Sequence, residues 1–87
     1  MNFIMQNNQD VYILVQGLVE ELQREKYELL AKRLYTATFE AVWTTRHELF
    51  EELIQILESE EFVGSFFSTK IDEMIQKILV LVKSEIS

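Results

Sequence analysis

"YTATFEAVWTTRHEL", residues 35–49, decides the fold. Tyr35, Ala37, Phe39, Ala41 and Trp43 alternate with Thr36, Thr38, Glu40 and Thr44, which is the period of a half-buried strand. A strand needs a pairing partner, because an isolated one leaves its backbone groups unsatisfied. The only other β-like segment is "FVGSFF", residues 62–67, which is short and broken by Gly64. Leu34, Ala37, Thr38, Ala41 and Val42 fall at helical spacing, and two alanines in five residues favour helix over strand. The stretch is therefore read as the close of a helix, with its threonines and aromatics weakening the last turns. Thr44 and Thr45 mark a restart. Thr45 with Glu48 three residues on makes a capping box, in which hydroxyl and carboxylate each take an orphan backbone N–H.

Upstream, Val11, Leu14, Val15, Leu18 and Leu22 form one apolar stripe at spacings of three and four. Asn8 is an acceptable N-cap, with Asp10 in the first turn. "MNFIMQNN", residues 1–8, is then a tail that either docks on the core or stays mobile. Gly17 interrupts the stripe, either through close helix packing or through simple tolerance. "QREK", residues 23–26, is wholly polar, and the stripe changes phase across it: Tyr27, Leu30, Ala31 and Leu34 start a new line. A tight turn at about 24–26 explains the phase change; one continuous helix is the alternative. Glu20–Arg24, Glu28–Lys32 and Glu73–Lys77 are spaced for i,i+4 ion pairs.

Downstream, Leu49, Phe50, Leu53, Ile54 and Leu57 line one face of a third helix. Glu58, Glu60 and Glu61 would oppose the negative end of its dipole, so it stops near residue 57 or 58. Ser59 can cap one short turn ending at Gly64, with Phe62, Phe66 and Phe67 pinning this connection to the core. The last helix starts at Ser68 or Thr69, where Thr69 and Asp72 make a second, weaker capping box. Ile71, Met74, Ile75, Ile78, Leu79 and Val82 form its stripe. "ILVLV", residues 78–82, makes it apolar nearly all round, as in a helix that is central in the fold or covered by a second chain. The expectation is an all-α fold: a small up-and-down bundle of four helices at about 9–24, 27–43, 45–58 and 69–85, forming a single domain over 1–87.

The composition agrees. The 87 residues suffice for one domain with a thin stability margin, and 48% of them are hydrophobic. Proline is absent and glycine occurs twice, which leaves too few turn residues for a β-rich protein. Without cysteine there is no disulfide, thiolate zinc site or cysteine nucleophile, and a reducing, cytoplasmic setting is favoured. A net charge of −7 argues against nucleic acid and anionic membranes as partners. "MNFIMQNNQD" lacks the positive region of a secretory signal, and "ILVLV" is far too short to span a bilayer.

Catalytic motifs are missing. His47 is the only histidine, and with Glu51 at i,i+4 it shares a helix face with a carboxylate. A di-iron bundle would want Glu-x-x-His on two helices. No serine lies in a nucleophile elbow, and two glycines make no phosphate loop. The expectation is a non-enzyme with no cofactor and no metal, His47 being a first-turn bystander.

Two asymmetries remain. Glu48, Glu51, Glu52, Glu58, Glu60 and Glu61 form an acidic run without an intervening base, while Arg24, Lys26, Lys32 and Arg33 cluster at 23–33. Phe39, Trp43, Phe62, Phe66, Phe67 and "ILVLV" together are much apolar material for a small monomer, and they either fill one core or offer a dimer face or a groove for a partner helix. The leading expectation is a non-catalytic acidic protein that acts through protein–protein contact and self-associates as a dimer, using Trp43, Phe39, Leu79 and Leu81. The alternative is an antidote, immunity or inhibitor protein whose six glutamates cover the basic site of a partner such as a nuclease toxin.

Overall fold

A computed structural model describes residues 3–86, with side chains described from Val11 onward. Its elements are α1 (Phe3–Arg24), α2 (Glu28–Tyr35), a π-helical turn (Thr36–Glu40), α3 (Arg46–Leu57), a single-turn α4 (Glu60–Val63) and α5 (Thr69–Ile86). No strand occurs among the described residues, so the alternation at 35–44 is not β structure. Helix α1 starts at Phe3, ahead of the expected Asn8 cap, and takes residues 3–8 into its first turns. Residues 1 and 2, the start of the expected tail, lie outside the described chain.

Helix α1 is the centre of the bundle, packing against both α2 and α5, while α3 packs against α5 and the π turn. Val11, Val15, Leu18, Val19 and Leu22 of α1 are buried. They meet Ala31 and Leu34 of α2, five residues of α3 from Leu49 to Leu57, Phe62 of α4, and Ile71, Ile75, Ile78, Leu79 and Val82 of α5. The stripes read from the sequence are these faces. The Cα radius of gyration, 12.5 Å, is close to the roughly 12 Å of a compact chain this long.

The turn at 24–26 has a specific cause. Tyr27 N–H bonds to Leu22 C=O at 2.7 Å and Lys26 N–H to Gln23 C=O at 3.1 Å. These are the two bonds of a Schellman motif, which needs a left-handed residue at its centre. That residue is Lys26, at φ 75°, where glycine is usual. The motif is braced from outside, since the Tyr27 hydroxyl donates to Phe66 C=O at 3.2 Å and its ring stands edge-on to Phe67. Gly17 has a milder role: a Cβ there would meet the Met74 methyl at 3.4 Å, ordinary contact, so α1 tolerates glycine without needing it.

Several local expectations need correction. Arg24 pairs with Glu21 at i,i+3, while Glu20 accepts from Gln16 instead. No ion pair forms at Glu28–Lys32 or Glu73–Lys77 among the described residues. Of the two expected starts of α5, Ser68 is the cap, its hydroxyl accepting from Ile71 N–H at 3.3 Å, so the Thr69–Asp72 capping box does not form. Phe66 does not pin the connection, being 96% exposed, whereas Phe62 and Phe67 do face the core.

A polar cluster ties the end of α1 to the start of α5. The Glu21 carboxylate is buried and takes Arg24 and, at 3.3 Å, Lys70. Ser68 donates to Glu25 at 3.0 Å. Glu21 sits below the usual carboxylate pKa, chiefly through a hydrogen bond with the Glu25 carboxyl. Lys70 and Arg24 add to this against the opposing effect of burial. A carboxylate with a depressed folded pKa contributes stability above its unfolded value, near 4.5, and loses it as pH falls through the folded value. Glu21→Gln should therefore lose stability at neutral pH and show a flatter acid limb below about pH 4.5 in denaturation curves followed by circular dichroism. Lys26→Gly should raise unfolding free energy by roughly 1 kcal/mol, and the melting temperature by about 4–8 °C, because it relieves the left-handed strain.

Candidate aromatic corner

The second helix does not run to residue 42 or 43 as the sequence suggests. It widens after Tyr35, and Ala41 N–H closes a five-residue bond to Thr36 C=O at 2.9 Å. The chain then turns extended at Ala41, φ −74° and ψ 149°. A π turn rotates the following side chains away from the α stripe. Thr38 keeps its buried place on the stripe, but Ala41 and Val42 leave it, and Val42 is 96% exposed. Short π segments often occur at functional sites.

Helix α3 restarts the chain as expected, with a shifted cap. Thr45 Oγ1 accepts from Glu48 N–H at 3.2 Å, and Glu48 returns a carboxylate oxygen to Thr44 N–H at 3.1 Å, one residue before the usual partner. Between the π turn and this cap, Trp43 is held half-buried against the core by its indole N–H, which donates to Ala37 C=O at 2.7 Å.

The exposed face of this corner is aromatic. The Tyr12 and Phe39 ring centroids lie 5.7 Å apart, and Phe39 and Tyr35 lie 5.0 Å apart. All three rings are more than a third exposed. Tyr12, Thr38, Phe39, Ala41 and Trp43 wall an open cleft of about 430 Å³. On its other side Trp43 borders a second groove with Leu29, Lys32, Arg33 and Glu52. The first cleft contains no charged group. Behind its wall Thr38 is only 4% exposed, and its buried Oγ1 has no hydrogen-bond partner among the described residues.

Of the other candidate residues, Glu52 lines the groove that Trp43 borders and Glu48 bonds to Thr44 N–H, while Leu79 and Leu81 belong to α5. Leu79 is buried in the core, and Leu81 is half-buried against it. Of "ILVLV" only Val80 faces solvent. The acidic run is partly engaged within the chain. Arg33 donates to Glu61 at 2.9 Å and holds its carboxyl below the usual range, mainly through that hydrogen bond. Lys83 donates to Glu58 at 2.6 Å, Glu48 serves its cap, and Glu51 lies 3.0 Å from His47 Nε2. Glu52 is half-buried, and Glu60 opens α4. The six glutamates thus spread over several partners without converging. No group of three or more His, Asp or Glu side chains is placed to hold a metal ion, and no helix is long and apolar enough to cross a membrane, among the described residues.

Tyr12, Tyr35, Thr38 and Val42 are site residues that the sequence reading missed. Tyr12 carried a signal, since a large ring lies off the stripe of Val11, Leu14, Val15 and Leu18. Thr38 falls on the apolar stripe by its spacing from Leu34, so its burial was legible, but its unpartnered hydroxyl was not. Comparison with known proteins adds no relative: no family model, curated protein or solved structure matches the chain.

Trp43→Phe keeps the ring but deletes the bond to Ala37 C=O. It should cost roughly 1 kcal/mol in urea denaturation, the net worth of one partly buried hydrogen bond. An unchanged midpoint would mean that the indole does not anchor the corner.

Proposed function

We propose that this chain is a small, non-catalytic, cytoplasmic helical protein that works through protein–protein contact and self-associates as a dimer through its aromatic corner. The exposed Tyr12–Phe39–Tyr35 run beside fully exposed Val42 supports this reading best. Aromatic rings around a desolvatable pocket are the usual anchors of an interface. Two copies carrying −7 each repel one another, and a patch whose cleft holds no charge is where they approach at least electrostatic cost. The same net charge disfavours nucleic acid and anionic membranes as partners.

The antidote reading, with the glutamates covering a basic partner, draws less support. Arg33, Lys83 and the Thr44–Thr45 cap already engage three of those six carboxylates. Its mark would be capture of a basic protein that weakens steeply with salt.

Sedimentation equilibrium from micromolar to millimolar concentration tests the main reading. The wild type should dimerise, and Val42→Asp, at a fully exposed position, should leave a folded monomer. A monomer throughout this range, binding no apolar dye, would overturn it.

A further inference from the structure

Ala41 and Trp43 belong to two walls. On one side they close the aromatic cleft, and on the other they close a groove of about 490 Å³ between α2 and α3. The groove is apolar along its floor and divided at its rim. Lys32 and Arg33 stand on the α2 side, and Glu52 stands on the α3 side. Arg33 is taken by Glu61. Lys32 and half-buried Glu52 make no ion pair, with each other or elsewhere, among the described residues. Leu29 lines the same groove and is 84% exposed. A lone exposed leucine is ordinary, but this one borders the patch already assigned to self-association.

The charges select the occupant. The complement of a groove with a cation on one wall and a carboxylate on the other carries the same two charges in reversed order. A second copy turned about a two-fold axis normal to the groove presents that reversed order, because an isologous contact sets residue i against j and j against i. A wholly acidic or wholly basic partner would leave one wall facing its own sign, which is costly at an interface. The same half-turn carries Leu29, at the start of α2, toward Ala41 and Trp43, which follow its end. We infer that in the dimer Lys32 of each copy pairs with Glu52 of the other across this groove. This rests on the self-association proposed above and names the contact that sets its register.

Charge reversal on the full chain, with the variants separate and then mixed, tests it. Lys32→Glu sets two carboxylates against each other at both symmetric contacts, and Glu52→Lys sets two ammonium groups. Each variant alone should dimerise about tenfold more weakly than the wild type in sedimentation equilibrium. Glu52→Lys is the sharper of the two: it reduces the net negative charge, so overall repulsion alone would strengthen its dimer. An equal mixture of the two variants should recover association, because every contact in the mixed dimer joins opposite charges. Neither side chain is paired within the chain, so melting temperatures at monomeric concentration should stay close to that of the wild type. Lys32→Gln and Glu52→Gln, each weakening the dimer about threefold, serve where a reversal fails to fold. Dimers that resist these substitutions, or a mixture no stronger than its components, would overturn this pairing and leave self-association standing. A wild-type monomer would overturn both. If in that monomer the fluorescence of Trp43, the only tryptophan, shifted with added L-leucine, the groove would take a zwitterion and the second copy would be excluded as its occupant.

Discussion

The bond from Ala41 N–H to Thr36 C=O governs the region on which the functional reading rests. Had the chain stayed α-helical, Ala41 and Val42 would have continued the stripe of Leu34 and Thr38 into the core. One extra residue in the turn instead releases both, ends the helix at Glu40, and lets the extended segment carry Trp43 back against Ala37. It also alters the surroundings of Thr38. A threonine in an α-helix can place its hydroxyl on the carbonyl three or four residues earlier. In the widened turn that hydroxyl is buried with no such partner. The placement of Trp43 beside Ala37 and the exposure of Val42 follow from this change in backbone pitch, which adds them to the rings of Tyr12 and Tyr35 on α1 and α2.

Most of the bundle was legible because periodicity reports burial directly. Val11, Val15, Leu18 and Leu22 share a helix face by spacing alone, and they share a buried face in the structure. The phase change at "QREK" likewise reported a real turn. What the sequence obscured were features set by backbone conformation at single residues. A lysine at the centre of a Schellman motif gives no glycine signal, and a π turn has no period distinct enough to see over five residues. "TATFE" therefore read as uninterrupted helix, and the exposed position of Val42 was missed. The apolar run "ILVLV" left two readings open, a helix central in the fold or one covered by a second chain. Hydrophobicity all round a helix says that it is surrounded, and here α1 and α3 of the same chain surround most of it.

Charge followed a similar logic. Six glutamates within fourteen positions look like one negative face when written in a line. Folding disperses them. Glu61 turns to Arg33 on α2, Glu58 to Lys83 on α5, and Glu48 closes its own helix start. Exposed pairs such as these contribute little to stability, but they localise the field. Two carboxylates of the acidic run thus lie against Arg33 and Lys83 of the same chain, and the uncharged cleft lies at the end of the bundle where α2 gives way to α3.

The molecule departs from ordinary helix chemistry at two corners, and the contrast between them gives the functional reading its direction. At Lys26 a strained residue occupies a glycine position, yet neighbouring contacts offset the strain. The Schellman bonds form, Tyr27 reaches Phe66, and the Glu21–Lys70 and Ser68–Glu25 contacts clamp the adjoining helix ends. At Thr38 the departure has no such offset among the described residues: the backbone widens, a hydroxyl is buried alone, and rings on either side stay wet. Natural sequences tend to keep local violations where function requires them. A violation that the fold itself compensates needs no further partner. At the aromatic corner the hydroxyl stays sealed beneath the surface, and it is the exposed rings of Tyr12, Tyr35 and Phe39 above it that a second chain would cover.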